Sequence, residues 1–396
     1  MIDTSSRAPE LNSPDSTANR VICDPVHYID EDKGKQPEAG IALCLSGGGY
    51  RAMLFHTGTL WRLNELGLLP KLNRVSSVSG GSITAGVLAM NWDKLDFKDG
   101  VGQKFVDLVV GPICDLASHT IDIYAVLKGS LWFGSIGTKI AGYYRKYLFN
   151  DTKLANLPDY PRFVFNATNM HSGVLWRFMK PYMRDYRVGE VKTPDIALST
   201  VVAASSAFPP VLSPVVLTLK PSDFTPNSGT DLQDDSYRKR ILLVDGGVYD
   251  NLGLETAWKR YTTILVSDAG LGFKTKPKLW RNWISQTFRV LFTIDNQVRS
   301  LRRRQLIEAF EGGVRQGAFW SIESDAARSR ATSPLACPFN NTTELATVKT
   351  ALRKLDDVTQ KKLINWGYAS CDFGLRSHFD RTLPAPSRFP YPEIGV

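Results

Sequence analysis

Cysteine and histidine are scarce in this chain, five of each in 396 residues. The cysteines, Cys23, Cys44, Cys114, Cys337 and Cys371, are scattered, odd in number and without metal-ligand spacing. Neither a disulfide framework nor a structural zinc site is expected from them, and free thiols fit a reducing compartment. No run approaches the ~18 apolar residues that a membrane-spanning helix needs. The first twenty residues are rich in Ser, Pro, Asn and Asp and hold no apolar core of a signal peptide. The expectation is a cytoplasmic protein, unexported by the common route, whose contact with membranes is peripheral. Without an export signal, the Asn-X-Thr triplets at Asn166, Asn340 and Asn341 carry no weight as glycosylation sites.

The composition is that of a globular chain: 43% hydrophobic and 22% charged residues are enough to bury a full core. Residues 1–38 read as a flexible polar tail and 39–396 as one domain, a length that α/β folds accommodate. The net charge of +9 is concentrated between Lys274 and Arg304, where nine Lys and Arg face the single acid Asp295. Charge that local suggests an acidic partner surface, with an anionic membrane as one candidate. Lys278 to Arg289 also mixes Trp280 and Trp283 with cations, as interfacial segments do.

From Gly40 the pattern becomes that of alternating strands and helices. Residues 41–45 form a short apolar strand ended by Ser46-Gly47-Gly48-Gly49, and residues 50–66 have helical spacing stopped by Gly67. Residues 74–79 form a second strand, with a helical stretch over 83–90. Later strands fall at 162–165, 241–244 and 263–267, an irregular excursion at 212–240, and helices at 343–355 and 357–371. Strands alternating with helices predict an α/β fold, a central, mostly parallel sheet with helices on both faces. Residues 121–127 and 131–137 are apolar, aromatic and interrupted by glycine; they read as core helices or as a mobile cover over a site.

Three turns carry the chemistry. At Ser77-Val78-Ser79-Gly80-Gly81, glycines after the serine permit a sharp strand-to-helix turn that exposes Ser79 as a nucleophile. Ser77 stands where a glycine is usual, which leaves the shape of the turn less defined. Gly47-Gly48-Gly49 lies between a strand and a helix, where backbone N–H groups at the helix's positive end suit a developing oxyanion. The same glycines, read as Gly47-x-Gly49-x-x-Ala52, fit a relaxed dinucleotide fingerprint. That reading needs an acid at the end of the second strand, where Ser79 stands instead. No Gly-Lys-Ser/Thr follows, so a phosphate loop is excluded. Finally, Asp245-Gly246-Gly247 follows an apolar strand, at an end where site residues are delivered.

Together these residues resemble the patatin-like phospholipases. The oxyanion loop matches Ser46-Gly47-Gly48-Gly49-Tyr50-Arg51-Ala52-Met53, the elbow Ser77-Val78-Ser79-Gly80-Gly81, and the family's Asp-Gly-Gly motif Asp245-Gly246-Gly247. In Ser46 and Arg51 the loop looks closer to the group-IV cytosolic phospholipases than to plant patatin. Ala203-Ala204-Ser205-Ser206-Ala207-Phe208-Pro209-Pro210 resembles the signature between elbow and aspartate. Further similarity to bacterial members lies at Phe165-Asn166-Ala167-Thr168, Asp295-Asn296-Gln297-Val298-Arg299 and Asn365-Trp366-Gly367-Tyr368.

The resemblance implies a Ser79–Asp245 dyad that cleaves acyl esters of phospholipids through an acyl-enzyme, without a cofactor. It implies an oxyanion hole at Gly47, Gly48 and Gly49, a substrate-binding candidate in Arg51, and a phospholipid membrane surface as partner. Two alternatives stand beside it. An esterase triad Ser79…Asp245…His378 keeps the chain order of α/β-hydrolases, and a membrane-surface binding module could use the basic stretch alone. No nucleic-acid motif accompanies that stretch, and nucleic acid is not an expected partner.

Overall fold

The structure, a computed structural model, describes residues 36–121, 136–209, 212–270, 272, 275, 277–278 and 282–396. The expected tail therefore lies almost wholly outside the described residues. So do the apolar segment 122–135 and, in the basic run, Lys274, Lys276, Trp280 and Arg281. Residues 37–396 make up a single compact unit.

Strand β1 (Glu38–Leu45) leads through the glycine loop into α1 (Gly49–Glu65). Strand β2 (Leu72–Ser77) leads in the same way into α2 (Gly80–Asn91), and α3 (Gly111–Ala117) and α4 (Ile136–Tyr144) follow. Strand β3 (Arg162–Asn169) begins a meander through β4 (Val174–Met179), β5 (Tyr182–Asp185) and β6 (Gly189–Lys192). Then come α5 (Leu198–Ser205), β7 (Val215–Thr218), β8 (Arg240–Asp245) and β9 (Tyr261–Asp268). The long helix α6 (Trp283–Glu311), β10 (Gln316–Ser321), α7 (Phe339–Ala346) and α8 (Asp357–Gly374) complete the chain.

The sheet runs β10-β9-β1-β2-β3-β4-β5-β6, with β8 also on β3 and β7 on β8. From β10 to β3 every pairing is parallel. From β3 onward every pairing is antiparallel. The α/β architecture is as expected, and the antiparallel wing is an addition that the crossover pattern gave no sign of. Leu43 and Leu45 face the larger core, while Ala42 and Cys44 face a smaller one that includes Leu252, Leu254 and Leu306. Alternation along one strand puts these sets on opposite faces, so the sheet is covered on both sides, with Leu306 of α6 on the smaller.

Helix α1 is buried almost all round because α8 lies across it. At the crossing a Cβ on Gly58 would meet the Ile364 carbonyl, and one on Gly367 the Phe55 carbonyl. Arg62 and Asp372, both nearly fully buried, join the two helices at 2.8 Å. The predicted helix over 343–355 is shorter than expected: it ends at Ala346. Beyond it Tyr50 N–H binds the Ala351 carbonyl, Ile121 N–H binds Leu352 and Leu355 N–H binds Ala117. Those tertiary bonds hold 347–355 as a strap against the glycine loop and override its helical periodicity.

Candidate active site

Where β1 ends, Ser46 N–H donates to the Ser267 carbonyl (3.1 Å) and Gly47 N–H to that of Asn251 (3.1 Å). The chain then turns through Gly48 at φ 145° and Gly49 at φ 59°, backbone that L-residues rarely adopt. The loop needs glycine for closeness as well. A Cβ on Gly47 would stand 3.0 Å from the Ser79 Cβ, and one on Gly80 would meet the Gly49 carbonyl. Loop and elbow are thus pressed together backbone to backbone.

Ser79 lies between β2 and α2 at φ 51°, ψ −120°, a strained conformation for a residue with a side chain. Its N–H is held by the carbonyl (3.1 Å) and Oγ (3.2 Å) of Ser205 at the end of α5. Ser77, standing where a glycine is usual, leaves this turn intact. Its Oγ donates to the Val164 carbonyl and accepts from Ser82, so the hydroxyl is taken up by the sheet.

The register explains how Asp245 reaches Ser79. Strand β2 pairs with β3 over 162–165, ending at Ser77 opposite Phe165. Beyond that point β8 takes the same edge of β3 from the opposite direction, with Asp245 opposite Ala167. Because β4 fills the other edge of β3, the carboxyl ends of β2 and β8 meet head-on. Asp245 therefore arrives on an antiparallel strand, not on the parallel strand its sequence context suggested.

Asn166 sits at the junction. Its Nδ2 donates to Ser76 Oγ and the Ser77 carbonyl, each at 2.9 Å, while its backbone carbonyl accepts from Ser205 Oγ at 2.7 Å. The side chain thereby fixes the end of β2, and the backbone carbonyl of the same residue fixes the end of α5.

The Asp245 carboxyl is 3% exposed and its pKa is pushed up to about 7, first by burial. The Gly247 amide, 2.7 Å from Oδ1, and the Ser79 hydroxyl act as donors that pull it back down, and the Asp295 charge raises it further. A carboxylate of that basicity beside a hydroxyl suits proton abstraction near neutral pH.

Among the described residues, the amides of Gly48, Gly49 and Gly80 have no protein acceptor. Gly47 differs from the sequence expectation, because its N–H is committed to Asn251; its place in the loop rests on the lack of a Cβ. The Gly80 amide was missed in the sequence, although the residue after an elbow serine supplies a donor as a rule.

Arg51 is completely buried, with Nη1 on the carbonyls of Ala346 and Val348 and Nη2 on that of Ala269. Burial draws its pKa down to about 10. It ties the loop to the 347–355 strap and to the end of β9. His56, on α1, is buried between the Ser46 carbonyl and Ser267 Oγ, 2.9 Å from each, and burial lowers its pKa to about 4. His378 is shifted down by partial burial and by Arg330 and Arg381. Among the described residues no histidine hydrogen-bonds Ser79 or Asp245, and none of the His/Cys/Asp/Glu side chains group to hold a metal ion.

The family model described as patatin-like phospholipase matches residues 43–258, more than half of the chain and the whole of the loop, elbow and Asp245 turn. The chain belongs to the patatin-like phospholipase family. No curated protein sequence matches it. Among solved structures it is similar to human GIVD cytosolic phospholipase A2, at 13% identity and a TM-score of 0.48, over 87% of this chain and 62% of that one. The same human enzyme in complex with methyl gamma-linolenyl fluorophosphonate matches at 15% identity and 0.47, over 90% and 59%. VipD from Legionella pneumophila matches at 17% and 0.36, over 87% and 67%. The chain thus spans about three fifths of the human enzyme's length. Helices α6, α7 and α8 lie beyond the residues the patatin-like model matches.

Proposed function

We propose that this patatin-like protein is a lipid acyl hydrolase of the phospholipase A type, acting on acyl esters of glycerophospholipids through a Ser79–Asp245 dyad. The observation that carries the reading is a buried carboxyl with pKa about 7 facing the hydroxyl of a serine held at positive φ. Asp245 takes the Ser79 proton as Oγ attacks the ester carbonyl. The oxyanion of the tetrahedral intermediate accepts from the amides of Gly48, Gly49 and Gly80. Collapse expels the lysophospholipid alkoxide, which recovers the proton from Asp245 and leaves an acyl-serine. Water then attacks the acyl group with Asp245 again as base, releasing the fatty acid and restoring Ser79. No step requires a cofactor.

Arg51 serves this reading as a positioning residue, since it holds the loop from behind; direct binding of a headgroup would require it to exchange a carbonyl partner. The site of action is a phospholipid surface to which a cytoplasmic protein attaches peripherally. No described helix is long and apolar enough to cross a membrane.

The test is product analysis by mass spectrometry on mixed phospholipids with Ser79→Ala, Asp245→Ala and the double variant. Each single change should remove nearly all fatty-acid release, and the double should be little worse, because groups acting as a unit are not additive. Activity that survives Asp245→Ala but not His378→Ala would overturn the dyad in favour of a triad.

A further inference from the structure

The basic run of 274–304 divides into two parts with different fates. Three of its arginines on α6, Arg299, Arg302 and Arg303, turn inward. Arg302 lies 3.3 Å from Glu255 and 3.5 Å from Asp250, and stacks over the Tyr249 ring. Arg303 binds the fully buried Asp268 at 2.8 Å and reaches Glu323 at 3.7 Å. Arg299 is buried against Gly270 and Asp268. These side chains fasten α6 to the turn that follows Asp245 and to the ends of β9 and β10.

Several apolar residues of α6 behave in the opposite way. Trp283 is 75% exposed, Val290 56%, Leu291 55%, Ile294 54% and Leu301 55%. Trp283, Val290, Ile294 and Leu301 follow one another at intervals of seven, four and seven, which places them on one face of a helix. That face is turned away from Leu306 and Arg299, the residues by which α6 is buried. An apolar stripe this long, bare of described neighbours, marks an interaction surface.

We propose that this face of α6 docks the enzyme on a phospholipid surface by inserting its apolar side chains at the headgroup–acyl boundary. The proposal rests on the lipid acyl hydrolase reading. Two observations select lipid over a protein partner. Helix α6 packs on the turn that follows Asp245, where Arg302 meets Tyr249 and Asp250, so the helix lies beside the site that must receive an acyl chain and carries the stripe on its outer side. From Trp283 to Leu301, the length of the stripe, the one acid is the half-buried Asp295, and Arg304 just beyond it is exposed, a balance that suits an anionic headgroup layer. The α6 arginines that pair internally are spent on holding the helix, so apolar insertion supplies most of the attachment and salt should weaken it little.

The experiment is flotation with mixed phosphatidylcholine–phosphatidylglycerol vesicles, comparing the wild type with a Val290→Gln, Ile294→Gln, Leu301→Gln triple variant. Hydrolysis of a soluble short-chain ester, the melting temperature and the solution mass are measured alongside. The proposal expects partition into vesicles to fall at least tenfold, with the other three unchanged and wild-type binding largely kept at high salt. Unchanged partition, or a wild type that does not float, overturns it. A lower melting temperature in the variant overturns it as well, by showing that the face packs on the chain itself, and a lower solution mass by showing that a second copy covers it. A wild type that floats yet cleaves neither lipid nor ester would instead defeat the hydrolase reading and leave the surface standing.

Discussion

At the scale of single residues, Asp245 sets the most direct expectation. Its carboxyl must be ionised to accept the Ser79 proton, and burial raises its pKa to about 7. The kcat/KM for a soluble ester should therefore rise about tenfold per pH unit below 7 and level off above it. The same shift acts on stability with the opposite sign. A carboxyl whose folded pKa exceeds its unfolded value binds more protons in the native state, so it stabilises at low pH and loses that contribution as pH rises toward 7. Asp245→Asn, which keeps an acceptor for the Gly247 amide, should be inactive yet more stable than the wild type at pH 8. Denaturant titrations should show that gain shrinking toward pH 4; a variant less stable at both pH values would contradict the burial argument. Ser79 and the glycine loop were legible in the sequence because sharp turns demand glycine. Asn166 was marked only by the resemblance at Phe165-Asn166-Ala167-Thr168, and its role was not legible until the register showed two strands meeting beside it. The burial of Arg51 was equally hidden, because its partners are the carbonyls of Ala269, Ala346 and Val348, more than two hundred residues away in the chain.

At the scale of elements, local pattern located strands and helices but not their directions. Strand β8 has the apolar run of a buried parallel strand, and only its pairing with β3 and β7 shows that it runs antiparallel. The meander β4–β6 left no strand signal because Arg177, Arg184, Asp185, Glu190 and Lys192 break it up, whereas 162–165 and 241–244 stand out by their apolar runs. The crossing of α1 and α8 offers a paired test of packing. A methyl group on Gly367 would meet the Phe55 carbonyl and force the helices apart, whereas Gly142, on the exposed face of α4, has nothing within 4 Å. Gly367→Ala should destabilise by ~1–3 kcal/mol through overpacking. Gly142→Ala should stabilise by ~0.5–1 kcal/mol, by restricting the unfolded chain and favouring helix. Urea unfolding of the two variants checks both, and equal effects would mean that the helices do not cross at the glycines.

At the scale of the whole molecule, the net charge of +9 is a poor guide to where the protein meets a surface. The run of 274–304 looked from its sequence like a cationic patch, yet Arg299, Arg302 and Arg303 lie against the acids that ring the sheet's carboxyl edge. Sequence shows how many cations are present, but not that Asp250, Asp268, Glu255 and Glu323 will be brought opposite them from separate elements. The pairing makes a prediction that a surface patch would not. Burial alone would raise the Asp268 pKa, but Arg303 and Arg299 outweigh it and hold the group below the ordinary carboxylate range. Removing Arg303 strands a carboxylate with no exposed surface, so Arg303→Ala should destabilise the fold by about 2 kcal/mol. That is less than the ~3–5 kcal/mol of a fully buried pair, because Arg303 is itself partly exposed and Arg299 stays beside Asp268. Arg304→Ala, one residue along on the exposed side of α6, should change stability by less than ~0.5 kcal/mol. A depressed folded pKa contributes stability above the unfolded value and loses it in acid. The deficit of Arg303→Ala should therefore narrow as pH falls below the ordinary carboxylate range. Parallel denaturant titrations of the two variants at neutral and acid pH decide the matter. Equal and small losses would restore the arginine row to the surface and free it for anionic lipid, whereas a large loss confined to Arg303 fixes it as the clasp that holds α6 beside the site.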